Sequence, residues 1–230
     1  MMTNKIVIFN NLRDKIESCQ KCPRLVNYVS EISTKKTRRY KDWIYWGKPL
    51  PGFGDPNAKL LIIGLAPAAH GGNRTGRMFT GDGSGDWLIG ALHLTGFSNQ
   101  SESYNQYDGL KLKSVYITAV IRCAPPKNKP LLEEIKNCSE YLLEEMNLLD
   151  NIEVVLTLGK IAFDTFVKYR IPKDAKLKPK FQHGRVYKFE DLILISSYHP
   201  SRQNTQTGRL TWSMWLEIFS NIRKTMRKNN

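Results

Sequence analysis

No apolar run in this chain approaches the roughly 20 residues needed to span a bilayer. The opening MMTNKIVIFNNLRDKIESC also lacks a basic stretch followed by an apolar one. Both absences predict a soluble, cytoplasmic protein with no membrane partner. Cysteine is scarce, four in 230 residues, which excludes a small disulfide-stapled scaffold. In a reducing compartment four cysteines read as metal ligands before they read as disulfides. Acidic side chains are outnumbered, 21 against 35 Lys and Arg, for a formal charge of +14. The excess runs along the whole chain instead of sitting in a tail, a balance that suits a polyanionic partner such as nucleic acid. There is no internal repeat and no low-complexity segment. A 41% hydrophobic content over this length supports one sizeable core, so residues 1–230 are read as a single domain.

Four short apolar runs rich in β-branched residues recur at 59–65 (KLLIIGL), 115–121 (VYITAVI), 153–158 (EVVLTL) and 192–197 (LILISS), each bounded by turn residues. They read as buried strands. Helical patterns lie at 5–18, where Ile6, Phe9, Leu12 and Ile16 recur at near-helical spacing, and at 85–95, 131–149, 160–169 and 210–227. The basic run at 34–41 (TKKTRRYK) and the Gly/Pro-dense stretch at 49–56 read as loop, and the closing RKTMRKNN as a basic helix end. Alternating strands and helices predict an α/β domain of three layers, α/β/α, around a central, mostly parallel four-stranded sheet. Ligands bind such sheets outside the carboxyl ends of the strands, and two unusual loops, 66–85 and 198–208, directly follow strands.

The cysteines fall as a close pair, Cys19 and Cys22, and a distant one, Cys123 and Cys138, which brackets PPKNKP. Thiolates suit an iron-sulfur cluster or zinc by count. Structural zinc sites generally use two short-spaced pairs, and only one pair here is short, so a cluster leads, with zinc and disulfides or free thiols as alternatives. The first unusual loop, GLAPAAHGGNRTGRMFTGDGSG from Gly64 to Gly85, carries seven glycines in 22 positions. Main-chain N–H groups there can approach a ligand closely. No GK[ST] follows, and no G-x-G-x-x-G opens the strand exit, so a nucleotide cofactor is disfavoured. Phe79, a lone aromatic among small and polar residues, suits stacking on a base, or else caps the core. Asp82, before an apolar helix, is a candidate N-cap. In the second loop His199, fixed before Pro200 at a strand end, is placed to donate a hydrogen bond at the sheet edge. Ser201, Arg202, Gln203 and Asn204, with Arg209 beyond, look like a loop offered to a phosphate backbone or base stack.

Together the strand-exit motif, the HPSRQN motif at 199–204 and the cysteine order resemble the uracil-DNA glycosylase superfamily over almost the whole chain, and most closely its iron-sulfur branch of thermophilic archaea and bacteria. The resemblance implies a 4Fe-4S cluster held by Cys19, Cys22, Cys123 and Cys138. One group within the branch carries an acidic residue in a GEAPG motif. Here Gly64-Leu65-Ala66-Pro67-Ala68 has no carboxylate, which looks like the broad-specificity group called family 5 or type B, acting on uracil and on deaminated purines such as hypoxanthine and xanthine. In that reading the target base is flipped out of DNA. Phe79 stacks on it, while Ala66, Pro67, Ala68, His70, Gly71 and Asn128 contact its edge. His199 stabilises charge on the departing base, Asp82 orients water or offsets the cation-like sugar, and Arg74 joins Ser201–Asn204 and Arg209 on DNA. A monomer is expected, and a sliding-clamp contact is not derivable from the residues. The rival readings are a non-catalytic iron-sulfur protein that binds DNA or senses redox state, and a structural zinc protein binding RNA, for which no recognition-module motif is present.

Overall fold

The computed structural model describes residues 2–172, 174–175 and 177–228, so the last two residues of the RKTMRKNN end lie outside it. Helix α1 (Met2–Glu17) is followed by α2 (Pro23–Lys35), which starts on Pro23, a residue whose missing N–H is no loss in a first turn. Leu25 and Val29, four residues apart, bury one face of α2. The sequence reading missed α2, although Leu25, Tyr28, Val29 and Ile32 recur at helical spacing. The basic run read as loop supplies the last turn of α2 and a 3-10 turn at Arg38–Tyr40.

Strand β1 (Phe53–Gly54) precedes β2 (Leu60–Gly64), a four-residue helix α3 (Gly72–Thr75) and α4 (Gly83–Leu94). Then come β3 (Val115–Ala119), α5 (Leu132–Leu148), β4 (Val154–Leu158) and α6 (Lys160–Arg170). The chain closes with β5 (Val186–Lys188), β6 (Ile193–Ser197), α7 (Arg202–Gln206) and α8 (Trp212–Lys228). All four expected strands are present within one or two residues of their expected ends. Among the described residues the sheet has six strands, not four, in the order β1-β3-β2-β4-β6-β5. The four central strands are parallel, and the two additions are antiparallel edges of two and three residues, too short to leave a period-two signal.

Because side chains alternate along a strand, the sheet feeds two cores. Leu60, Ile62, Ile117, Leu156 and Ile195 face α4 and α8, where Trp215, Phe219 and Leu88 are fully buried. Leu61, Ile63, Val155 and Leu194 face α2, α5 and α6, against Leu142, Phe163 and Phe166. Helix α1 lies outside this second layer, with Leu12 and Ile16 against Tyr141 of α5. Trp215 can be buried whole because its indole N–H donates to the Trp87 carbonyl at 2.9 Å. Among the described residues, no helix is long and apolar enough to cross a membrane.

Candidate active site

The carboxyl ends of the central parallel strands open into two adjoining cavities of about 770 and 650 Å³. Ala68, Asp82, Gly83, Lys127, Asn128 and Arg202 line both, so the two are one cleft. The smaller holds Ala66, Phe79 and His199, and the larger holds His70, Gly71 and Arg74. The strand-exit motif and the HPSRQN motif, 120 residues apart in sequence, therefore meet across the sheet edge.

Phe79 and His199 stack with ring centroids 5.8 Å apart and planes 30° off parallel. Phe79 is only 9% exposed and joins the core, and its ring also lines the cavity. Its backbone has φ of 50°, a left-handed conformation that a bulky residue adopts only when its surroundings force it. The room for its ring is made at Gly64. A Cβ there would come within 2.7 Å of the Phe79 ring, so the last residue of β2 must be glycine for the ring to lie across the strand end. Burial pushes the His199 imidazole down to about 4, so at neutral pH it is an uncharged ring that can donate one hydrogen bond. Asn204 fixes its backbone by donating from Nδ2 to the His199 carbonyl at 2.8 Å.

Asp82 is the N-cap of α4: its Oδ1 accepts from the N–H groups of Ser84 at 2.9 Å and Gly85 at 3.0 Å. It also lines both cavities, so cap and cleft residue are the same side chain. Its second oxygen lies where a Cβ on Gly71 would fall, 2.0 Å away, which is why the loop needs glycine there. Burial pushes the carboxyl up from its ordinary value although the two N–H donors favour the charged form. Asn128 stands at the end of a 3-10 turn, Pro126–Asn128, where Lys127 and Asn128 both have φ of 55°. Two successive left-handed residues without glycine are a strained arrangement of the kind concentrated at ligand sites.

Other expected residues are placed differently. Arg74 is 4% exposed: its Nε donates to the His70 carbonyl at 2.8 Å and its Nη2 to the Gly81 carbonyl at 2.9 Å. Tyr40 and Trp43 rings cover its guanidinium at 4.0 and 4.1 Å. It thus braces the glycine loop while also lining the larger cavity. Pro67 is buried with its ring toward Gly72, so it shapes the loop from behind. Ser201, Arg202 and Gln203 stand at the rim of the smaller cavity, and what read as an open loop is the short helix α7. Arg209 lies over the Tyr198 ring at 4.4 Å. His70 pairs through Nδ1 with the Tyr45 hydroxyl at 3.0 Å, and burial, then Arg74, pushes its pKa down.

Sequence reasoning missed three groups. Arg39, Tyr40 and Trp43 form a wall of the larger cavity, and their only sequence signal was aromatics interleaved with the basic run. Arg77 is the second. Its Nε donates to Thr80 Oγ1 at 3.0 Å, and its Nη2 donates to Ser103 at 2.7 Å and Asp108 at 2.6 Å, tying the turn between Phe79 and Asp82 to residues 103–108. Burial opposes ionisation of Asp108, but donors from Arg77, Leu110 and Tyr104 outweigh it and hold the carboxyl at about 2. The third is Arg122, 1% exposed, bidentate to Glu145 at 2.7 and 3.1 Å.

The four cysteines line one small cavity between α2, α5 and the β3 exit, together with Lys21 and Arg122. All four are free thiols. Among the described residues, no three His, Cys, Asp or Glu side chains stand close enough to hold a single metal ion. The donor set fits a cluster. It is wholly thiol, Cys22 accepts from Asn137 Nδ2 at 3.6 Å, and the buried Nε of Arg122 on the cavity wall has no partner. Burial pushes Cys138 up to about 11 and Cys123 higher, and Cys19 and Cys22 push both up further, so a group carrying its own cations would suit this cavity.

A doubly wound α/β domain with its cleft at the carboxyl edge, a neutral histidine stacked on an aromatic ring and a buried carboxylate opposite defines a ligand-processing site of small-molecule or base dimensions. The family model described as the uracil DNA glycosylase superfamily matches residues 51–223. A Type-5 uracil-DNA glycosylase of Pyrobaculum aerophilum is 44% identical over 211 residues, 92% of this chain and 90% of that protein. A Type-5 uracil-DNA glycosylase of Thermus thermophilus is 46% identical over 211 residues, 91% of this chain and 94% of that protein. A Type-4 uracil-DNA glycosylase of Saccharolobus solfataricus is 26% identical over 83% of this chain and 74% of that protein. The chain belongs to the uracil DNA glycosylase superfamily.

Proposed function

We propose that this protein is a DNA repair glycosylase that hydrolyses the N-glycosidic bond of uracil flipped out of DNA, leaving an abasic site. The observation that carries it is the meeting of Phe79, Asp82, Asn128 and His199 in one cavity at the sheet's carboxyl edge. Higher identity to Type-5 than to Type-4 relatives supports the broad-specificity reading, with hypoxanthine and xanthine as further substrates.

The base must leave the duplex, at an unstacking cost of about a few kcal/mol that is smaller at mispaired sites. Phe79 then offers a π face, and the main chain of the glycine loop with Asn128 reads the base edge. As the bond breaks, negative charge grows on the base and positive charge on the sugar. His199, neutral and desolvated, donates toward the base. Asp82, held by two backbone donors with an oxygen left over, offsets the sugar or orients water. Ser201, Arg202 and Gln203 at the rim meet the DNA strand. The strongly basic composition supports a DNA partner.

Cys19, Cys22, Cys123 and Cys138 would hold a 4Fe-4S cluster that staples the start of α2 to the β3 exit and α5. That cluster's chemistry is structural or one-electron, and no step of excision is assigned to it. The test is a duplex with one U·G pair: incubation, alkaline cleavage of abasic sites, and strand breakage as readout. Breakage at the uracil is the expected result, and its absence in iron-replete protein would overturn the reading. The same assay with hypoxanthine and xanthine tests the breadth.

A further inference from the structure

We propose that the larger cavity is a subsite for the nucleotide flanking the target, holding its base against Trp43 and its phosphate against Arg39. The inference rests on the excision reading, whose stacking ring Phe79 and donor His199 line the smaller cavity. Because Asp82, Asn128 and Arg202 line both cavities, a strand that delivers a base into one passes directly over the other. The volume, about 770 Å³, is that of a ligand site and not a surface dimple.

Its chemistry matches an unstacked nucleotide. Aromatic faces beside cationic side chains are the means by which proteins hold single-stranded nucleic acid without reading its sequence. Trp43 supplies the face: Arg74 lies over its ring, yet 36% of its surface stays exposed at the cavity wall, and Tyr40 packs edge-on beside it. Arg39 is exposed, with its guanidinium 5.2 Å from the Tyr40 ring. The carboxylates of Asp82 and Asp86 also line the cavity and repel a phosphate, which leaves the Arg39 side for the backbone.

The wall is preorganised. Arg74 clamps Tyr40 and Trp43 by cation-π contact, and the same guanidinium bonds the carbonyls of His70 and Gly81 on either side of the glycine loop. The stacking wall and the base cavity are therefore one braced unit, and the ordering of the rings precedes binding.

The test is a cycle between enzyme and substrate. Single-stranded oligonucleotides carry one deoxyuridine, either with normal neighbours or with an abasic tetrahydrofuran on the 5′ or the 3′ side. Wild type and Trp43→Ala are compared by kcat/KM. A stacked base contributes enough that losing the neighbour on one side should cost wild type about 5- to 150-fold. Trp43→Ala should lose a similar factor on the normal strand and little more when the neighbour is removed. Trp43→Phe should recover most of the loss. Independent, multiplying losses on both sides, or excision from a U·G duplex with every single strand spared, would overturn the subsite while leaving excision intact, whereas no excision of either the U·G duplex or any single strand by wild type would overturn the excision reading itself. Should Trp43→Ala fail to fold, Arg39→Ala decides. Paired with a neutral methylphosphonate at the flanking linkage it should show the same non-additivity, and additivity there would equally refute the proposal.

Discussion

Replacing Asp82 by asparagine separates the two roles that this side chain combines. Asparagine keeps an oxygen for the N–H groups of Ser84 and Gly85, so the cap on α4 survives at a cost of about a few tenths of a kcal/mol. Losing the negative charge at the helix start costs about 0.3–1 kcal/mol. Against that, burial disfavours the ionised carboxylate, so its removal returns stability. The net change should lie within about 1 kcal/mol, or about 2–4 °C of melting temperature for a chain of this size. Chemistry should respond differently, because asparagine preserves shape and removes the charge that a cation-like sugar or an activated water needs. Single-turnover excision of uracil with enzyme in excess should fall about 100- to 1000-fold. Affinity for damaged duplex should hold or improve, since a negative charge near the phosphates is gone. A rate within about threefold of wild type would reduce Asp82 to a cap and move the burden to His199, Asn128 and the substrate's own phosphates. A melting temperature lower by about 10 °C or more would show that the carboxylate was structural, and the rate loss would then say nothing about mechanism.

Three further outcomes are expected. His199, held at about 4 by burial, takes up its proton later in the folded than in the unfolded chain, whose imidazole titrates near 6.5. Its contribution to stability is complete above pH 6.5 and is lost as the pH falls toward 4. Melting curves of wild type should therefore drop faster across that window than those of His199→Asn, and parallel curves would refute a buried neutral imidazole. Glu145→Gln strands the buried guanidinium of Arg122 and should destabilise by about 3–5 kcal/mol, lowering the melting temperature by about 6–20 °C, read by calorimetry; a smaller shift would mean that Thr118 and water satisfy the guanidinium. Anaerobically purified protein should contain iron and inorganic sulfide that Cys138→Ser loses together with thermal stability, and stoichiometric zinc without iron would refute the cluster.

The central strands were legible in the sequence because each is buried on both faces and so reads as an unbroken apolar run. β1 and β5 were not, since strands of two and three residues on the edges are defined by pairing with β3 and β6 and not by their own pattern. The same distinction runs through the site. Phe79, Asp82 and His199 stood out because each is an odd residue at a strand exit or helix start. Arg74 stood out for its charge alone, with no local sign that Tyr40, Trp43 and two carbonyls brace it. Those partners lie up to 34 positions away, and no local pattern announces them.

The residues missed share a physical character with those found. Arg77, Arg74 and Arg122 are buried arginines, and each crosses between segments that local sequence leaves independent: Arg77 to residues 103–108, Arg74 to the 40–43 turn, and Arg122 from the β3 exit to α5. A guanidinium presents five donors in a fixed fork, so once buried it dictates the positions of several acceptors at once. Arg77 bonds the Thr80 hydroxyl and Arg74 the Gly81 carbonyl, so two of these groups brace the turn that directly follows the left-handed backbone of Phe79. The strain at the cleft and the buried ion pairs behind it are thus two ends of one arrangement. Lysine at position 77 could keep a single contact with Asp108 but could not also reach Thr80 and Ser103, so even this charge-preserving change should loosen the turn that carries Phe79 and Asp82.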